Sequence, residues 1–214
     1  MSLTTILFHR ENCYKSQIIE LINKYSGNKL EKVNIDTLSK ENQEKVLSKS
    51  ITGHFPLLQK GDFFLSETKA IIGFLLSSSK EISEILLKSN NPFEQSQVEM
   101  WIDFTKSNIW VLLEGLFITK GGITNNPDAN VFQEAEKEMK NVLLIINKHL
   151  SHRTYIISDS LSLADLFIAV SLKDIFSKVL KQEDLKALNY LTRWFKLISH
   201  IKEFKELLGE VKLN

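Results

Sequence analysis

The sequence predicts a two-part molecule, an α/β N-terminal third followed by an all-helical remainder. Three observations carry this reading. Strand-like and helix-like patterns alternate over residues 1–79, and helical spacing dominates from Phe93 onward. Gly and Pro together supply only 11 of the 214 residues, a composition that favours long helices. The expected boundaries are 1–79 for the first domain, 80–92 for a linker and 93–214 for the helical domain.

Each element has its own justification. Thr4 to Phe8 is a short β-rich run. Ile18, Ile19, Leu21, Ile22 and Tyr25 recur at helical spacing, and Gly27 suits the residue after a helix end. Leu30 to Ile35 alternates apolar with polar, as a half-buried strand does. Lys40 to Leu47 suits a polar helix. Phe55–Leu58 and Phe63–Leu65 flank Lys60-Gly61-Asp62, the pattern of a β-hairpin. Ser66 is expected to cap a helix running through Ile71, Ile72, Phe74 and Leu75. The predicted order is β-α-β-α-β-β-α. The polar stretch 77–92, which contains the linker, holds five Ser and two adjacent Asn. Val98 to Leu116 fits one long helix that Gly121-Gly122 ends, with a turn at Asn125–Asp128. Further helices are expected over Phe132–Leu150, Ser162–Val179 and Leu185–Ile198. Trp101 and Trp110 fall in the apolar stripe and are expected in the core.

Composition excludes several functions. There are 27 basic and 26 acidic side chains, and residues 1–79 carry a formal +2 against −1 for the rest. Neither charge supports direct nucleic-acid binding. Lys137, Lys140 and Lys148 share a helix with Glu134, Glu136 and Glu138 and form a mixed face. A single Cys, Cys13, rules out an internal disulfide or a Cys-rich zinc site. His9, His54, His149, His152 and His200 show no metal-ligand spacing and are expected at the solvated surface, so no metal is expected. The longest apolar stretch, Ala70–Leu76, is far below the roughly 20 residues that span a bilayer. The N-terminus lacks a signal-peptide core, so a cytoplasmic, non-membrane protein is expected.

Residues 1–79 have the strand and helix order of the thioredoxin-like arrangement. With the helical domain behind them, the whole chain resembles the glutathione S-transferase architecture. His54-Phe55-Pro56-Leu57-Leu58 followed by Leu65–Ile71 resembles that family's cis-proline strand and glutamyl-binding turn. Ser162-Leu163-Ala164-Asp165 resembles the capping box that starts its sixth helix. Its physics is readable directly: Ser162 can accept the amide proton of residue 165, while the Asp165 carboxylate reaches back to the Ser162 amide. A narrower set of motifs resembles the gamma subunit of translation elongation factor 1B. These are Glu11-Asn12, Tyr25-Ser26-Gly27, Trp101–Phe104, Arg193-Trp194-Phe195 and the ending Leu208–Leu213. That resemblance implies a Lys-rich linker and second domain beyond Asn214, with this chain either an excised domain or a short relative.

The resemblance also places the candidate chemistry. In a glutathione transferase a hydroxyl after the first strand stabilises the glutathione thiolate, and the register puts Asn12 there, a poorer donor. Tyr14 and Ser16 are the nearby hydroxyls. A cis Phe55–Pro56 bond would turn the Phe55 backbone toward the cleft, while Glu67 and Thr68 would hold the γ-glutamyl carboxylate at a helix N-terminus. Asn12, Phe55, Pro56, Glu67 and Thr68 are therefore the expected glutathione-binding set, with Asn12, Cys13 and Tyr14 the catalytic candidates. Cys13-Tyr14-Lys15-Ser16 is also a Cys-x-x-Ser at a helix start, where the dipole and Lys15 can stabilise a thiolate. The resemblance implies a non-catalytic scaffold that anchors guanine-nucleotide-exchange subunits of elongation factor 1B. No cofactor is required on that reading, and glutathione binding and homodimerisation stay open. The rivals are an active glutathione S-transferase and a glutaredoxin-like thiol transferase using Cys13.

Overall fold

Four strands, β1 (Thr5–His9), β2 (Leu30–Asn34), β3 (Leu57–Lys60) and β4 (Phe63–Ser66), form one sheet in the order β2-β1-β3-β4. β1 runs parallel to β2 and antiparallel to β3, and β3 and β4 close a hairpin through Gly61-Asp62. Gly61 supplies the positive φ of 59° that such a turn requires. The computed structural model describes residues 4–120 and 129–213. The chain divides into two units, Met1–Glu84 and Ile85–Asn214.

In the first unit, α1 (Tyr14–Ser26), α2 (Lys40–Leu47) and α3 (Thr68–Leu76) alternate with the strands in the expected order. α1 packs on α3, burying Ile18, Ile19, Leu21 and Ile22 with Ile71, Ile72, Leu75 and Leu76. Gly27, at φ 66°, ends α1 in the left-handed cap that glycine adopts without cost. Asn28 then donates its side-chain amide to the Leu75 carbonyl at 2.9 Å, tying the α1–β2 turn to the end of α3. The stretch 80–92, expected as a linker, begins with helix α4 (Lys80–Leu86), within which the two units divide.

The second unit is helical: α5 (Pro92–Phe104), α6 (Val111–Lys120), α7 (Ala129–His149), α8 (Leu163–Lys178), α9 (Gln182–Ala187), α10 (Asn189–Ser199) and α11 (Lys202–Leu208). Asn91 caps α5, its side-chain oxygen accepting from the Phe93 and Glu94 amides, and Pro92 occupies the first helical position, where its missing N–H costs nothing. α8 is buried on every side from Leu163 to Leu172, packed against α5, the segment after it, and α10, and its partly exposed charges begin only at Lys173. Trp101 and Trp110 are both buried, as expected of core residues. No described helix is long and apolar enough to cross a membrane.

Three helix expectations are corrected. The single helix over Val98–Leu116 is interrupted by a π-helical segment, Thr105–Trp110. The buried Thr105 hydroxyl donates to the Trp101 carbonyl at 2.8 Å and Asn108 donates to the Phe104 carbonyl at 2.9 Å. Such side-chain bonds compete with the regular ladder and widen the turn. The Trp110 indole then donates to Ser171 at 2.9 Å while its ring stacks on Phe167. The helix expected over Leu185–Ile198 is broken at Leu188 into α9 and α10. Asn147 of α7 accepts from the Tyr190 and Leu191 amides at 3.0 and 2.9 Å, capping α10 from a distant part of the chain. The cap expected at Ser66 falls instead on Glu67, with Ser66 closing β4. The expected helix stop at Gly121-Gly122 and the turn at Asn125–Asp128 lie outside the described residues.

Candidate functional site at one end of the sheet

Strand register gathers the candidate residues. Phe8 of β1 pairs with Leu57 of β3, and Leu57 pairs with Ser66 of β4. The chain leaving β1 therefore emerges at the same end of the sheet where the chain enters β3 and leaves β4. That end carries Asn12, Cys13 and Tyr14 from the first turn, Phe55 and Pro56 from the second, and Glu67 and Thr68 from the third.

Each turn has a distinct local geometry. Asn12 is exposed and adopts φ 58°, a left-handed conformation that Asn tolerates better than most residues. Cys13, half-buried, is the extended N-cap residue of α1, and its carbonyl accepts from the Gln17 amide at 2.9 Å. The Lys15 ammonium lies 5.7 Å from the Tyr14 ring centroid. Phe55–Pro56 is a cis peptide, with Pro56 buried and Phe55 half-buried. The preceding turn is held by Ser50, whose hydroxyl donates to the His54 carbonyl at 3.0 Å. Glu67 is exposed at φ 72° and its carbonyl accepts from the Ile71 amide at 3.0 Å, while Thr68, the first residue of α3, is buried. The helix start leaves backbone N–H groups without intrahelical partners. Such a set of turns can pair with the backbone of a short peptide and hold a carboxylate at α3.

Ser162 and Asp165 lie in the other unit and do a different job. Both are fully buried at 0% exposure. One Asp165 oxygen accepts from the Ser162 amide at 3.0 Å and hydroxyl at 2.6 Å. The other accepts from the Ile156 amide at 2.9 Å and the Trp194 indole at 2.8 Å. Burial pushes the Asp165 carboxyl upward, and the bonds from Ser162, Trp194 and Ile156 oppose it. The Ser162-x-x-Asp165 spacing announces the local half of this cluster. Nothing local announces Trp194, whose partner lies 29 residues away.

Two further placements differ from expectation. His149, expected at the solvated surface, is half-buried; its Nε2 lies 2.7 Å from the Ile156 carbonyl and its ring sits 4.6 Å from that of Trp101. Burial lowers its pKa below the usual value, and the bond to Ile156 opposes the shift. His9 is also largely enclosed, its Nδ1 3.8 Å from Glu20, which in turn holds Lys32 at 2.7 Å. The mixed face of α7 is organised by Lys140, which bridges Glu136 at 3.3 Å and Asp184 at 3.0 Å. Its bond to Asp184 raises the Lys140 pKa. Burial pushes Asp184 up, but the Lys181 amide and Lys140 outweigh it and leave the carboxyl below its usual value. Among the described residues, no group of three His, Cys, Asp or Glu side chains is placed to hold a metal ion.

The chain is similar to known proteins in sequence and in fold. Elongation factor 1-gamma of Carassius auratus is 31% identical over 226 residues, covering 100% of this chain and 47% of that protein. The chain thus spans about half the length of the curated relatives it matches end to end. A family profile described as nuclear-export cofactor Arc1p matches residues 129–202. Among solved structures, the glutathione S-transferase-like domain of elongation factor 1-gamma from Saccharomyces cerevisiae superposes with a TM-score of 0.82 at 19% identity, covering 100% of this chain and 96% of that one. Glutathione transferase F7 from Populus trichocarpa superposes with a TM-score of 0.79 at 19% identity, covering 98% and 100%. These likenesses show a glutathione S-transferase-like fold.

Proposed function

The chain belongs to the elongation factor 1-gamma family, and we propose that it is a non-catalytic scaffold of translation elongation in the cytoplasm. On this reading it anchors the guanine-nucleotide-exchange subunits of elongation factor 1B and requires no cofactor. The observation that carries the proposal is the similarity along the whole chain to proteins of that name. It is supported by Asn12, a carboxamide at the position where the transferase resemblance calls for a hydroxyl. Stable subunit contacts bury large, rather apolar areas, and the balanced charge leaves little long-range attraction for salt to screen. Calorimetry of this chain with a purified exchange subunit at two ionic strengths tests it. Binding should survive moderate salt and be indifferent to glutathione and to Cys13→Ser. Absence of binding at both ionic strengths overturns the scaffold.

One observation favours a second reading, an active glutathione S-transferase. Register brings Asn12, Phe55, Pro56, Glu67 and Thr68 to one end of the sheet, the set expected to bind glutathione. We expect glutathione to bind there without efficient turnover, so conjugation to chlorodinitrobenzene should be weak or absent. A turnover number on the order of 1–10³ s⁻¹ that falls on Tyr14→Phe would replace the scaffold with the enzyme. Activity that falls instead on Cys13→Ser would favour the thiol transferase. A homodimer is compatible with each reading.

A further inference from the structure

Lys88 lies in the connection between α4 and α5, in a left-handed conformation at φ 55°, with its carbonyl accepting from the Asn91 amide at 2.9 Å. It is only 6% exposed. Its ammonium donates to the Ser160 hydroxyl at 2.5 Å. Among the described residues no carboxylate pairs with it. An ammonium has three N–H donors, and among the described residues one goes to the neutral Ser160 hydroxyl and none to a carboxylate. A largely enclosed ammonium with no counter-ion among the described residues gains from an anion placed beside it.

Ser160 is positioned to supply one. It is exposed and lies in the irregular stretch 153–161, between the helical turn Leu150–His152 and α8. A loop of this kind can be drawn into another enzyme's active site more readily than a helix or strand can. We propose that Ser160 is a phosphorylation site and that Lys88 is the cation that receives its phosphate. In the transfer, a protein kinase presents a nucleoside triphosphate. The Ser160 Oγ forms a bond to the γ-phosphorus as the bond from phosphorus to the β–γ bridging oxygen breaks. The nucleoside diphosphate leaves, and the hydroxyl proton passes to the kinase's base. The product carries close to two negative charges and three acceptor oxygens, attached to the atom that Lys88 already touches. The N-terminus of α8 begins at its cap residue Ser162, and its dipole adds favourable potential. Asp159, exposed beside Ser160, and the buried Asp165 oppose it, which leaves Lys88 as the deciding charge.

The test compares the chain with phosphoserine incorporated at position 160 against the unmodified chain, each with Lys88 and with Lys88→Met. Phosphoserine should raise Tm by about 2–4 °C, the shift expected from one added kcal/mol in a chain of this size, and Lys88→Met should cancel the rise. Phosphopeptide mapping of the chain purified from the cells that make it should find residue 160 modified. An unchanged or lowered Tm, a rise that survives Lys88→Met, or a native chain without the phosphopeptide each overturns the proposal. A Lys88-dependent rise produced in the unmodified chain by inorganic phosphate alone would also overturn it, assigning the site to a free anion.

Discussion

At the sheet end of the N-terminal unit, Asn12 and Glu67 are exposed in left-handed conformations, whereas Ser162, Asp165 and Trp194 of the helical unit are fully buried and spend their polar atoms on one another. Polar side chains thus serve two ends. Buried polar groups that satisfy each other fix a unique packing. Exposed residues held in costly backbone conformations persist only where the surrounding turns impose them, and such positions concentrate at binding sites. The contrast sets the structural cluster apart from the candidate site that the resemblance picks out. Variants that remove one partner from each region put it at risk.

The largest effect should come from Asp165→Ala. As a simple helix cap it would cost about 0.5–2 kcal/mol. Here the change also orphans the Ile156 amide, the Trp194 indole and the Ser162 hydroxyl, each a buried donor whose loss of partner costs about 1–3 kcal/mol. We expect a loss on the order of 3–5 kcal/mol, read as a lower urea midpoint with an unchanged m-value. Trp194→Phe removes one donor and leaves a small cavity where the larger ring stood, while Asp165 keeps its other bonds, so it should cost about 1–3 kcal/mol. A loss from Asp165→Ala no larger than that from Trp194→Phe would mean that the cluster does not act as a unit.

The opposite sign is expected at the sheet end. A non-glycine residue in the left-handed region pays roughly 1–2 kcal/mol, which glycine avoids at some cost in unfolded-state entropy. Glu67→Gly should therefore stabilise the chain by about 0.5–1 kcal/mol while weakening any glutathione affinity measured by calorimetry. If the variant is less stable than the parent, the Glu67 side chain has a structural role and the contrast between the regions fails at this position.

How much of this was legible in the sequence follows from the range of each interaction. Strand order, the hairpin at Gly61-Asp62 and the Ser162-x-x-Asp165 cap are written in residues a few positions apart, and the structure has them where the spacing puts them. The break at Leu188 is held by Asn147 reaching across from α7 together with the local Asn189 side chain, which also accepts from the Tyr190 amide; the long-range half has no local pattern. The π segment depends on Thr105 and Asn108 competing for helix carbonyls and on Trp110 reaching Ser171. Apolar periodicity cannot see such competition. Convergence of Asn12, Pro56 and Glu67 required the strand register, although the motifs named the residues. The enclosure of His149 is invisible in the sequence because its neighbours, Trp101 and Ile156, lie outside α7.

The smallest expected effect belongs to His149, and it extends the comparison to pH. Burial lowers its pKa beneath the ordinary 6.5, so the folded chain holds the ring neutral where the unfolded chain already binds a proton. Stability rises with pH wherever the unfolded state binds more protons. The contribution of His149 is therefore fully present above about pH 6.5 and is lost as the pH falls from there through the folded-state value. The neutral ring can donate from Nε2 to the Ile156 carbonyl 2.7 Å away, and Ile156 also gives its amide to Asp165 at 2.9 Å. A proton on His149 leaves the Nε2 bond in place, so its cost lies in charging an enclosed ring rather than in a lost contact. His149→Gln keeps a donor but cannot titrate. Thermal midpoints measured from pH 7.5 down to pH 5 should fall more steeply for the parent than for His149→Gln, with the two curves converging in slope above pH 6.5. Parallel curves across the whole range would show that His149 is protonated equally in both states, and that its enclosure by Trp101 and Ile156 carries no electrostatic cost.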